Sequence, residues 1–262
     1  MGTPSFLSLP PRSPKPRTQG LTHVLDTGVS AAAAAEVLAG GGEHVDIWKT
    51  GWGTAYVDAR LAEKLAVLAD RGIAACLGGT LLEIAWAQGV ADACLAWAHE
   101  AGFSHVEVSR GTVAMSVDDK HQLVRRAADR FGVLTEVGAK DPDHQHTLAQ
   151  WHDEAATDRA AGADLVVAEG RQSGTVGIFD AAGEVREDVV AALVDAVGLD
   201  RVVFEAPRAA QQAWFVRRFG PDVNLGNVAP DDVLSVETLR LGLRSDTAGS
   251  TVPAAVLEEL TR

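Results

Sequence analysis

Four glutamates stand one apiece in short apolar stretches of this chain: Glu107 in VEVS, Glu136 in TEVG, Glu169 in AEGR and Glu205 in FEAP. Glutamate is rarely buried unless it is paired or bound to a metal, so four such placements are hard to read as surface. Magnesium suits such a set, because it takes oxygen ligands, keeps several waters and combines a few carboxylates with substrate oxygens. The chemistry predicted is a reaction through an enolate-like dianion steadied by the cation. For each glutamate taken singly a second reading stays open, in which Lys49, Lys140 or Arg171 neutralises it at a charged rim.

Two other stretches carry the signature of a phosphate site. EGRQSG (169–174) and LRLGLRSDT (239–247) set arginines beside small residues and hydroxyls. Arginine offers phosphate a planar fork, and glycine lets backbone N–H groups come close. Arg171, Ser173, Gly174, Arg240 and Arg244 are the candidates. The alternative is structural: RQSG as an ordinary loop, Asp246 and Thr247 as a turn cap. His144 and His146, in DPDHQH, read as a solvated loop cap in preference to metal ligands.

The elements that must position these groups follow from the apolar pattern. Eight short β-rich runs recur, at 23–28, 44–49, 73–79, 105–110, 133–140, 165–171, 201–207 and 223–228. Alanine-rich stretches of helical period separate them, several opened by Asp, Ser or Pro and closed by Gly. Eight such units in 262 residues predict an α/β fold, a closed (β/α)8 TIM barrel, over 21–262. A doubly wound dinucleotide fold would need GxGxxG after its first strand, and DTGVSAAAAAE lacks it. In such barrels the active site lies at the carboxyl ends of the strands, where all four glutamates fall. Residues 1–20 hold five prolines and three cations and predict a disordered or loosely draped arm.

A net charge of −13 and a pI near 5.0 argue against nucleic acid as a partner. No apolar run approaches the roughly 20 residues that span a bilayer, and SFLSLPPRSPKPR is a poor signal segment, so a cytoplasmic protein away from membranes is expected. Cys76 and Cys94 lack redox or zinc spacing and read as buried thiols. The six tryptophans read mostly as packing, Trp52 excepted, and apolar rim residues suggest a homo-oligomer.

DIWKTGWGT, GGTLLE, VEVSRGT, LTEVGAK, AEGRQSG, FEAP followed by QQ, VNLGN and LRLGLRSDT occur in one order, and in that order the chain resembles the phosphosulfolactate synthase family from about residue 21 to about residue 249. The resemblance implies a (β/α)8 barrel and magnesium-dependent addition of sulfite to phosphoenolpyruvate. It implies Glu107, Glu136, Glu169 and Glu205 as metal ligands or anchors, Lys140 as proton donor, Lys49 as a carboxylate or sulfite contact, and the arginines above as phosphate contacts. It gives the 45–54 loop a meaning: Gly51 and Gly53 admit an anion close to the backbone and Trp52 shields it from water. The alternative there is a glycine turn with Trp52 packed on the rim. The family pattern carries other residues at Thr27, Thr50, Ala55, Arg110, Ala139 and Gln172. Arg110 stands for an aspartate, and lysines are lost at Thr27 and Ala139. Rearranged anion pockets, with Arg110 as a substrate contact, are therefore expected. They keep open a related acceptor or sulfur nucleophile, and a non-catalytic stress-related role is the third reading. Retention of Lys140 and the four glutamates speaks against that last one.

Overall fold

In the computed structural model, which describes residues 6–139 and 146–252, the apolar runs form β1 (Thr22–Asp26), β2 (Ile47–Thr50), β3 (Ala74–Leu77), β4 (His105–Val108), β5 (Gly132–Val137), β6 (Leu165–Ala168), β7 (Val202–Glu205) and β8 (Leu225–Val228). All pair in parallel in chain order and β8 returns to β1, closing the (β/α)8 barrel that the sequence predicts. Around it lie α1 (Ala31–Gly41), α2 (Thr54–Val57), α3 (Leu61–Ala69), α4 (Gly79–Ala87), α5 (Ala91–Ala101), α6 (Val117–Ala128), α7 (Leu148–Ala161), α8 (Glu187–Val197), α9 (Ala209–Phe219) and α10 (Val233–Arg240).

Local chemistry sets the helix ends. Ser30 and Ser116 accept from the backbone N–H three residues on, and Thr147 with Gln150 forms a reciprocal box. Each such cap contributes about 1 kcal/mol. Two helices, α4 and α5, lie between β3 and β4, because Gly89 takes a left-handed turn (φ +74°) between them.

Strand alternation then decides which side chains meet. Ile47, Leu134, Val167 and Val203 form an apolar cluster inside the barrel with Leu21, Cys76 and Leu165. The residues two positions further along the same strands share that inward face. They are Lys49, Glu136, Glu169 and Glu205, all buried. The interior thus changes from apolar plug to charged layer within one step toward the carboxyl ends. Two larger apolar clusters fill the space between barrel and helices. At about 25 cal/mol per Å² of buried apolar surface, these clusters hold the barrel together.

Residues 6–20 of the arm lie draped against the amino-terminal end of the barrel. Arg12 bonds Asp222, Glu237 and the Gly20 and Pro221 carbonyls, Arg17 pairs with Asp46, and Lys15 donates to the Gly42 carbonyl. The composition lacks apolar residues to pack, but its cations find carboxylates and carbonyls left at the strand starts. Among the described residues no helix is long and apolar enough to cross a membrane.

Candidate active site

A cavity of about 520 Å³ opens at the carboxyl ends of the strands. Lys49, Glu107, Glu136, Glu169, Arg171 and Glu205 line it. At its base the Lys49 ammonium donates to Glu107 Oε2 at 2.8 Å and to Glu205 Oε1 at 3.2 Å. Burial acts to lower the Lys49 pKa, but the charges of Glu107, Glu205 and Glu136 outweigh it and hold the group well above its ordinary value. Lys49 is therefore a fixed cation at neutral pH. Glu107 moves upward, first through burial, which Lys49 opposes and the like charges of Glu136 and Glu205 reinforce. The crowding of three carboxylates around a single lysine contributes to both directions, beside the burial that acts first on Glu107.

The remaining oxygens anchor the loops. Glu107 Oε1 accepts from Gly79 N–H at 3.1 Å, and Glu205 Oε2 accepts from the N–H groups of Gly170 (3.0 Å) and Arg171 (3.2 Å). Arg171 N–H also donates to Glu169 Oε1 at 2.8 Å. The 169–171 turn is thus wrapped around two carboxylates.

Backbone strain marks the same place. Among the described residues, the non-glycine residues with positive φ are Trp52 (54°), Arg171 (54°) and Asn227 (52°), and all of them line this cavity. Each costs about 1–2 kcal/mol against right-handed backbone, so the surrounding bonds must hold them there. They follow β2, β6 and end β8, where a barrel carries its chemistry.

Glu107, Glu136 and Glu205 present oxygens all within 4.8 Å of one another, a grouping that fits a metal ion. The donors are all hard oxygens, and each oxygen already bonded to an N–H keeps a second lone pair. Lys49 offsets only one of the three charges. The residues present therefore suit magnesium. Glu169 lines the cavity but stands outside this trio, so three of the four predicted ligands come together. The pairing of glutamates with Lys49, the second reading of the sequence, is present as well.

Several predicted contacts lie elsewhere. Arg240 is buried at the opposite end, donating to the carbonyls of Pro221 and Val223 (both 2.6 Å) and Leu21 (3.0 Å), all just before strands. Burial and the neighbouring Arg12 bring its pKa down to about 9. Arg244, beyond the same helix, bonds Ser235 and Asp246. Neither lines the cavity: α10 follows β8 and carries the chain back toward the amino-terminal end, and at 1.5 Å per residue its eight residues span about 12 Å. Arg110 also turns away from the cavity, donating through Nε to Glu154 at 2.8 Å, a buried acceptor on α7. Thr27 and Ala139 do not line the cavity, whereas Gln172 does. Lys140 and His144 fall outside the described residues, and His146 packs edge-on against Trp151.

Arg171 and Ser173 line the cavity, and Gly174 follows directly behind them. In the 45–54 loop, Gly51 and Trp52 line the cavity. Gly51 is small because a Cβ would come within 2.7 Å of Leu25 Cδ1, a demand of strand packing. Gly53 is needed for its left-handed φ of 76° ahead of α2. Trp52 lines the cavity yet is 57% exposed, so it forms a rim and is not packed down.

Gly78, Gly79, Thr80, Thr112 and Asn227 also line the cavity and were not singled out from the sequence. Alternation along β8 could have pointed to Asn227. Gln211 is another omission: its Nε2 donates to the carbonyls of Gly174 and Gly183, bracing the loop that carries Arg171 and Ser173. The QQ pair was the available signal.

Residues 10–246 match the (2R)-phospho-3-sulfolactate synthase (ComA) family. A phosphosulfolactate synthase of Methanothermobacter thermautotrophicus is 40% identical over 247 residues, covering 92% of this chain and 95% of that protein. One from Methanocaldococcus jannaschii is 42% identical over 237 residues, 88% of this chain and 94% of its own length. Among solved structures, a 3-hexulose-6-phosphate synthase superposes with a TM-score of 0.55 at 18% identity, covering 84% of this chain and 98% of that one, a likeness of fold alone.

Proposed function

The chain belongs to the phosphosulfolactate synthase family, and from that premise we propose that it joins sulfite to phosphoenolpyruvate with magnesium, forming a carbon–sulfur bond. The observation that carries the reading is the charge of the cavity. Four carboxylates face two cations, Lys49 and Arg171, among its described lining residues. Two anionic substrates would be repelled from such a space unless a divalent cation entered with them.

The sulfur lone pair bonds to the methylene carbon, C3, of the acceptor. The C2–C3 π electrons move toward the carboxylate as an enolate, a proton arrives at C2, and the phosphate ester stays intact. Glu107, Glu136 and Glu205 would hold magnesium, which supplies positive charge to the substrate oxygens as the enolate forms. Lys49, kept charged by its partners, contacts the acceptor carboxylate or the sulfite. Arg171, Ser173 and the Gly174 backbone take the phosphate, a role left to them because Arg240 and Arg244 do not line the cavity. Trp52 screens the reacting carbons from bulk water. The proton donor is Lys140, an assignment that rests on the resemblance.

The test is a mass-spectrometric assay of purified protein with phosphoenolpyruvate, sulfite and magnesium. A product retaining both phosphate and sulfonate, lost on chelation, supports the reading. Folded, metal-loaded protein that makes none of it would sink the reading. Gln172 in the cavity wall favours one alternative, a different unsaturated or phosphorylated acid as acceptor, and the same assay with such acids decides it.

A further inference from the structure

The charges packed behind the cavity form a chain that ends on the backbone of Glu136. Lys120, on α6, is fully buried, and its ammonium donates to three acceptors: the Glu136 carbonyl (2.8 Å), Glu154 Oε1 (2.8 Å) and Asp158 Oδ2 (2.6 Å). Glu154 in turn receives Arg110, from the loop after β4. His121 sits 3.1 Å from the other Asp158 oxygen.

Register explains why a lysine is needed there. The β4–β5 ladder ends at Val108 opposite Thr135, and Val137 O faces β6, accepting from Glu169 N–H. Successive carbonyls of a strand face opposite neighbours, so Glu136 O faces β4 just beyond the last rung. Lys120 supplies the donor that β4 no longer offers. The peptide carrying Glu136 is thereby fixed from behind, on the side away from the cavity. The loop after β4 is held from its other side by Glu83, which accepts from Ser109 Oγ and from the N–H groups of Thr112 (2.6 Å) and Val113 (3.1 Å).

The geometry points to Lys120 as a positioning residue that sets the Glu136 carboxylate within the Glu107–Glu136–Glu205 trio, with Arg110 and Glu154 extending the same brace to the β4 loop. It rests on the reading of that trio as the cation site. A carboxylate set from behind in this way loses about 10- to 100-fold in metal affinity or activity when its support goes.

The experiment uses the full chain and Mn²⁺ as the probe. Lys120→Met alone would strand two buried carboxylates, so the informative variant is K120M/D158N, which removes one charge of each sign and leaves Arg110 paired with Glu154. Expected is a roughly tenfold or greater loss of Mn²⁺ affinity by electron paramagnetic resonance. The kcat should fall similarly at an acceptor KM near the parent's, in a chain that circular dichroism shows to be folded. Arg110→Gln should weaken Mn²⁺ by a smaller factor, again at unchanged KM. A double variant that binds Mn²⁺ and turns over like the parent overturns the assignment and makes Lys120 a mere charge partner. A raised KM with unchanged Mn²⁺ affinity in R110Q overturns the Arg110 part and makes it a substrate contact. If the parent itself takes up no Mn²⁺, the cation-site reading falls and this inference with it.

Discussion

The two ends of the barrel bury similar charges to different effect. At the amino-terminal end, Arg12 closes on Asp222 and Glu237, and Arg240 closes on three backbone carbonyls. At the carboxyl end, Lys49 closes on Glu107 and Glu205 while Glu136 and Glu169 share the same cavity. The first group spends its cations on acceptors that the strands leave unpaired, and stabilises the barrel. The second keeps more carboxylate than its cations can neutralise, facing open space. Buried charge by itself therefore does not identify a site. Bonding capacity left over, and pointed into a cavity, does.

The largest effect that would test this contrast comes from Glu136→Gln. Removing one charge of the trio should cut product formation about 100- to 1,000-fold, the usual scale for losing an electrostatic contact to a developing anion. The melting temperature should hold or rise, because like charges are thinned. A variant keeping a tenth of its activity would erase the distinction between the ends. Arg240→Met should do the reverse, lowering unfolding free energy in urea by about 3 kcal/mol because buried carbonyls lose a charged donor. Its KM for the phosphorylated acceptor should not move. A higher KM at unchanged stability would return Arg240 to the phosphate site. Arg12→Ala follows at about 2 kcal/mol, also without kinetic effect, since its guanidinium is only partly enclosed.

Arg240 also shows where sequence reasoning stops. The barrel was legible, because eight apolar runs at regular intervals admit few other folds, and the ends of those runs put Lys49, Glu107, Glu136, Glu169 and Glu205 at one mouth. Local motif and local position agree for those residues: each lies on or at the end of a strand. In LRLGLRSDT they disagree. The motif reads as a phosphate loop after β8, yet α10 lies between: Arg240 is taken to carbonyls at the other end, and Arg244 bonds back to Ser235 on the helix itself. The arm's contacts were illegible for a related reason, since composition reports on packing and is blind to carbonyls waiting at the strand starts. The Lys120–Glu154–Asp158 brace was invisible because its members lie on two helices, and the carbonyl it serves belongs to a third element.

That brace lies behind the carboxyl-end site yet is enclosed like the opposite end, so its pH response sharpens the comparison most finely. Burial opposes ionisation of Glu154, but the Arg110 hydrogen bonds and Lys120 outweigh it and bring its pKa from 4.5 to about 2. A carboxyl depressed on folding contributes stability that is fully present above its unfolded pKa and is lost as pH falls toward the folded value. For this shift the contribution is about 3 kcal/mol at most. Asp158, pushed upward chiefly by burial against the pull of Lys120, works in the opposite sense over a neighbouring range, so the net gain is smaller. Arg110→Gln removes the strongest pull on Glu154 and lets its folded pKa climb. Stability near neutrality should drop by about 1 kcal/mol, and the decline between pH 4.5 and 2 should flatten. Melting temperatures of parent and variant, measured from pH 7 down to 3, should therefore converge at the acid end. Parallel curves would mean that Arg110 and Glu154 stay together without either one setting the other's charge.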